Sequence, residues 1–97
     1  IKKIKAGTTG EKADEFSRDI IKKAGYGDFY SHAGGHGIGL DIHEIPSVSE
    51  KYKGKIKVNS IITVEPGIYL PKEFGVRIED MILITKNGNT NITKMPK

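Results

Sequence analysis

Ninety-seven residues allow one domain or part of one. The absence of Cys excludes a disulfide framework and a thiol nucleophile, and fits a reducing compartment, so the cytoplasm is the expected location. The net charge of +4 rests almost wholly on lysine and is not interleaved with aromatics, which argues against nucleic acid, while no apolar run approaches the roughly 20 residues of a membrane span.

Residues 1–7 read as the tail of an earlier helix closed by Gly7. Thr8 and Glu11 form a capping-box pattern, and behind them Ala13, Phe16, Ile20 and Ala24 recur at helical spacing, with Ile21 beside them. Gly25 and Gly27 stop that helix. The stretch around His36 is too rich in glycine for a helix. The alternation from Leu40 to His43 predicts a strand, ended by Pro46. A polar loop over 47–60 turns at Tyr52–Gly54. Strands are expected at 60–64 and 76–85, then a hairpin turn at Asn87–Gly88 and a short strand through 91–93. A helix followed by several strands predicts an α+β layout with an antiparallel or mixed sheet.

All three histidines, His32, His36 and His43, fall within this glycine-rich stretch. Imidazole is a common metal ligand and titrates near neutral pH, and glycines on both sides of His36 let a ligand or strand approach closely. His32 and His43, four and seven residues away, suit proton transfer and hydrogen bonding around a site better than a shared ion. Glu65 ends an apolar strand, where burying a carboxylate is costly unless it is paired or bound to a cation. Glu79 alternates with Arg77 on one strand face, as a surface ion pair or as a metal-bound carboxylate steadied by arginine. His43-Glu44 opens like a zincin motif, but Pro46 stands where the helix should continue. No nucleotide-binding glycine motif is spelled.

Four segments in order then carry a resemblance: Gly35-His36 with Gly37 and Gly39, His43-Glu44 with Pro46, Val64-Glu65-Pro66-Gly67 with Tyr69, and Gly75 through Arg77 to Glu79-Asp80. Together they resemble the pita-bread metallopeptidases, from about Ile4 to the end of the chain. His32 before the metal histidine, and Tyr69 after the Glu65-Pro66 pair, are similar to the proline-specific branch, aminopeptidase P and Xaa-Pro dipeptidase. The resemblance implies the C-terminal half of a pita-bread fold, a helix packed on a curved, mainly antiparallel sheet.

Its further implications are functional. His36 and Glu65 look like terminal ligands of one divalent ion, and Glu79 like a carboxylate bridging two. Mn²⁺ is the expected metal for oxygen-dominated ligation, with Co²⁺ or Zn²⁺ as alternatives. His32 and His43 resemble histidines that orient substrate and stabilise the tetrahedral intermediate. Glu65 also resembles a proton carrier, and Arg77 a partner behind the site. The expected substrate is an Xaa-Pro peptide and the expected assembly a homodimer. The family's other two ligands are aspartates on strands, whereas Asp14, Asp19 and Asp28 lie in or just after the predicted helix. Residues 1–97 therefore read as the C-terminal portion of a catalytic domain, a fragment with weak or absent metal binding and no activity alone. A non-catalytic binding module on the same fold is the alternative.

Overall fold

In the computed structural model the described residues are 1–38 and 44–94. His43 and the expected strand at Leu40–His43 lie outside them. Among the described residues one α-helix, α1 (Gly10–Lys23), and a single 3-10 turn at Gly27–Phe29 precede seven strands: β1 (Gly35–Gly37), β2 (Glu44–Val48), β3 (Ile61–Val64), β4 (Gly67–Leu70), β5 (Phe74–Arg77), β6 (Asp80–Ile84) and β7 (Asn89–Asn91). An antiparallel sheet of order β2-β1-β3-β6-β7 carries the body of the fold, and β4 and β5 form a separate hairpin. This is the expected α+β arrangement of one helix on a mainly antiparallel sheet.

Period-two alternation sorts the sheet into two faces. Ile62, Val64, Ile82 and Ile84 are buried with Ile4, Ala13, Val48 and Ile56, and form the core on the side of the helix. Thr63 and Glu65 alternate with them and take the other face, where the site forms.

The helix differs from its sequence reading in two ways. Its N-cap is Thr9, whose hydroxyl accepts from the Lys12 amide at 3.1 Å, and not Thr8. The backbone of Thr8 instead accepts the Ile56 amide, and Thr9 bridges to Lys55, so tertiary pairing moves the helix start by one residue. Its buried face is also not the apolar stripe. Ile20 is 69% exposed, while Asp14 and Arg18 are buried beside Ala13. Residues 1–7 form turns and no helix, although Ile4 reaches the core.

Two strand expectations also change. Pro46 lies inside β2 and does not end it, which is tolerated because β2 is a sheet edge and needs no donor on its outer side. The expected strand at 76–85 is broken at Ile78–Glu79 into β5 and β6, and β4 was not foreseen behind Pro66-Gly67. The break leaves the register intact. Ile61↔Leu83, Val64↔Asp80, Gly67↔Arg77 and Leu70↔Phe74 follow one continuous alignment, and the Ile78 amide donates to Pro66 O across the gap. Expected strand 60–64 appears as β3. The hairpin at Asn87–Gly88 joins β6 to β7, which lies at Asn89–Asn91, two residues earlier than expected.

Candidate metal centre and substrate cleft

Strand pairing brings the candidate residues to one face. On β1, His36 follows Gly35, where a Cβ would sit 1.9 Å from the Thr63 carbonyl oxygen, so only glycine permits this closeness to β3. The Glu65 amide donates to Gly34 O at 2.7 Å, and the His36 amide donates to the Thr63 hydroxyl at 3.0 Å. Thr63 and Glu65 are two residues apart, so His36 and Glu65 share a face, and His36 Nε2 stands 3.5 Å from Glu65 Oε2. Both side chains are largely buried.

The tautomer follows from the acceptors. His36 Nδ1 is 2.8 Å from Gly37 O. A carbonyl only accepts, so Nδ1 carries the hydrogen and Nε2 turns its lone pair toward the carboxylate. Two acceptors in that relation need a proton or a cation between them. Two ligands of one ion, each bonded at about 2.0–2.2 Å, stand about 3 Å apart or a little more, so this pair fits a divalent cation. A backbone carbonyl behind the ring is also the usual support of a metal-ligating histidine.

The continuous hairpin register sets Glu79 opposite Glu65, and cross-strand neighbours share a face. Glu79 is exposed, however, and among the described residues no group of three or more His, Asp or Glu forms a metal cluster. The pair His36–Glu65 is thus assembled, with Glu79 adjacent by register and not gathered into it. Among the described residues Arg77 and Glu79 form no ion pair, so the arginine does not steady that carboxylate here.

A cleft of about 520 Å³ opens beside the pair, lined by His32, His36, Glu65 and Arg77 with Ile45 and Ser47. His32 is held at both nitrogens. Nδ1 lies 2.6 Å from Ala33 O and therefore carries hydrogen, so Nε2 accepts from the Tyr69 hydroxyl at 3.0 Å. A Cβ on Gly67 would fall 2.9 Å from that nitrogen and 2.8 Å from the Tyr69 hydroxyl, so glycine there makes room for the bond. His43 lies outside the described residues.

Sequence reasoning missed two parts of this assembly. Tyr69 stood in a quoted motif without a role. Asp14 entered only as an aspartate outside the strand context a ligand needs, and Arg18 had no role. Their ion pair is buried, with Arg18 Nε 2.5 Å from Asp14 Oδ2, and the bond to Asp14 raises the guanidinium pKa above its ordinary value. The signal available was an Asp–Arg pair at i, i+4 on the helix face that also carries Ala13.

The sequence model of metallopeptidase family M24 matches residues 1–86. The chain belongs to that family. An Xaa-Pro dipeptidase of Pyrococcus furiosus is 49% identical over 94 residues, which is 97% of this M24 chain and 27% of the relative. An uncharacterized peptidase of Bacillus subtilis is 50% identical over the same share. Among solved structures, the prolidase from Pyrococcus furiosus superposes with a TM-score of 0.97 at 47% identity, covering 100% of this chain and 29% of the other. The X-Pro aminopeptidase from Thermotoga maritima superposes with a TM-score of 0.94 at 43% identity, covering 98% and 27%. The M24 chain thus spans between a quarter and a third of the length of these relatives, and its layout is that part of the pita-bread fold. Among the described residues no helix is long and apolar enough to cross a membrane.

Proposed function

We propose that the protein carrying these residues is a metal-dependent exopeptidase that cleaves Xaa-Pro bonds, as an Xaa-Pro dipeptidase or an aminopeptidase P. Residues 1–97 form the C-terminal portion of its catalytic domain and are inactive alone. The observation that carries this reading is His36 Nε2 facing Glu65 Oε2 at 3.5 Å in a cleft, within a family of metallopeptidases. Its relatives include proteins named Xaa-Pro dipeptidase.

His36 and Glu65 would hold one divalent ion and Glu79 would bridge to a second, with the remaining ligands supplied from outside this chain. Mn²⁺ suits the carboxylate-rich set. Such ions would polarise the scissile carbonyl and supply an activated water. The chain's own residues do the rest. His32, oriented by Ala33 O and Tyr69, presents its ring edge to the substrate. His43 assists at the developing oxyanion. Glu65 passes a proton toward the leaving prolyl nitrogen. Arg77, on the cleft wall and unpaired with Glu79 in the chain alone, would come to support the carboxylates once the ions are in place. A cytoplasmic homodimer completes the proposal.

The test is turnover by the intact protein. With added Mn²⁺ it should hydrolyse Ala-Pro or Ala-Pro-Ala and leave Ala-Ala and Ala-Ala-Ala largely untouched, and a chelator should abolish turnover. The preferred length assigns dipeptidase or aminopeptidase. Equal rates on prolyl and non-prolyl peptides, or rates indifferent to chelator, would remove the proposal.

A further inference from the structure

The segment 30–34 leads into β1 and carries His32, yet it is in no strand. Its inner edge is satisfied by side chains of α1. Arg18 Nη1 donates to Tyr30 O at 3.0 Å, Arg18 Nη2 donates to His32 O at 2.9 Å, and the Gly34 amide donates to Asp14 Oδ1 at 3.0 Å. The three groups are two residues apart along a segment that bends at His32 and Gly34, so side chains of the helix hold its backbone where no strand pairs with it. Gly34 O in turn accepts the amide of Glu65, the residue that follows β3, at 2.7 Å. Gly34 is therefore fixed from both sides, by the helix and by the backbone of Glu65.

We propose that the buried Asp14–Arg18 pair is a positioning device that sets His32 and Glu65 relative to each other in the cleft. The inference rests on the proposed peptidase reading for its kinetic consequence, but its structural consequence stands apart from it. Both residues are positioning residues, since neither lines the cleft beside the His36–Glu65 pair.

The geometry is selective for this pair. Arg18 spends all three guanidinium nitrogens, Nε on Asp14 Oδ2 and on Glu50 Oε1 at 3.2 Å, Nη2 on Asp14 Oδ1 and His32 O, Nη1 on Tyr30 O. Its plane lies over the Tyr30 ring at 4.0 Å, and that ring contacts His32 at 5.3 Å between centroids. Lysine has neither the planar fork nor the stacking face. A Cβ on Gly34 would lie 2.8 Å from Asp14 Oδ1, so the carboxylate sits against the backbone it holds. A buried ion pair contributes little stability compared with apolar residues of similar size, whereas its directed bonds do fix where backbone groups stand. Stability and positioning can therefore be separated by experiment.

The experiment compares the intact protein with the double variant Asp14→Leu/Arg18→Met and with Arg18→Lys, which keeps the charge and loses the fork. Three quantities are read: melting temperature, the ¹⁵N shifts of the His32 ring, and kcat and KM on Ala-Pro or Ala-Pro-Ala. The double variant leaves Tyr30 O, His32 O and Gly34 N without the helix's partners, so it should stay folded but melt lower than wild type. Its His32 should pass from a single Nδ1–H tautomer to an average of both. Its kcat should fall on the order of 10–100-fold with KM little changed, as for displacement of a catalytic group by about 1 Å. Arg18→Lys should fall between. A folded double variant with wild-type His32 shifts and kcat would overturn the proposal. If the double variant does not fold, Arg18→Lys decides alone: altered tautomer and kcat at unchanged melting temperature support positioning, and wild-type values of both overturn it. A wild-type protein inactive on every prolyl peptide, whose His32 tautomer still responds to the variants, would support the positioning role while removing the peptidase reading.

Discussion

At the scale of single residues, the placement of hydrogens on His36 determines what the site can hold. With Nδ1 bonded to Gly37 O, Nε2 meets Glu65 as an acceptor meeting an acceptor, a conflict that a proton or a cation resolves, and on the proposed function it is a cation. On the same proposal, Glu79, set opposite Glu65 by register, is the residue through which a second ion would join. In the intact protein Glu79→Gln should therefore lose bound Mn²⁺ and reduce turnover at least about a hundredfold, because a neutral amide of the same shape cannot bridge two cations. His43→Ala should reduce turnover comparably and retain metal. Metal analysis beside the prolyl-peptide assay separates the two, and loss of metal from His43→Ala would reverse the assignment. Tyr30 gives a second, independent check. Burial pushes its hydroxyl pKa up, opposed only in part by Ser17 and by the Arg18 cation. The folded protein thus keeps a proton that the unfolded chain releases near pH 10. That contribution to stability is fully present below about pH 10 and is lost as pH rises toward the folded value. Tyr30→Phe should lose less stability than wild type as the pH rises above about 10 in urea unfolding, and parallel curves would contradict the shift.

At the scale of elements, the site depends on how closely β1 approaches β3. Gly35→Ala should cost stability at the upper end of the about 1–3 kcal/mol of overpacking, since its Cβ would meet backbone that cannot swing aside. The same change should weaken Mn²⁺ binding by parting His36 from Glu65. An unchanged urea midpoint would mean that the strands do not meet at Gly35. Much of this layer was legible in the sequence, for reasons that differ by element. β3 was read from its β-branched run, and the β6–β7 hairpin from Asn87-Gly88, because both signals are local. The break at Ile78–Glu79 was not legible, because the register continues through it and the apolar alternation gives no sign of a gap. Pro46 misled because its tolerance depends on β2 being an edge, which is a property of the whole sheet. The cap moved from Thr8 to Thr9 because pairing with Lys55 and Ile56 outweighed the local motif.

At the scale of the whole molecule, the two faces of the sheet divide the labour. The core of Ile62, Val64, Ile82 and Ile84 lies toward α1, and the opposite face gathers His36 and Glu65. The motifs of the site were legible as residue types at fixed spacings, while the helix beneath was misread, because an amphipathic pattern counts apolar residues and here the buried face carries Asp14 and Arg18. That choice joins the scaffold to the site through directed bonds to Tyr30 O, His32 O and Gly34 N. The central claim is that His36 and Glu65 ligate one divalent ion. Crystals of the intact protein grown with Mn²⁺ and measured across the manganese absorption edge test it most directly. An anomalous peak about 2.0–2.3 Å from both His36 Nε2 and a Glu65 carboxylate oxygen is the predicted result. A manganese peak elsewhere, with no ion between these two side chains, would contradict the account.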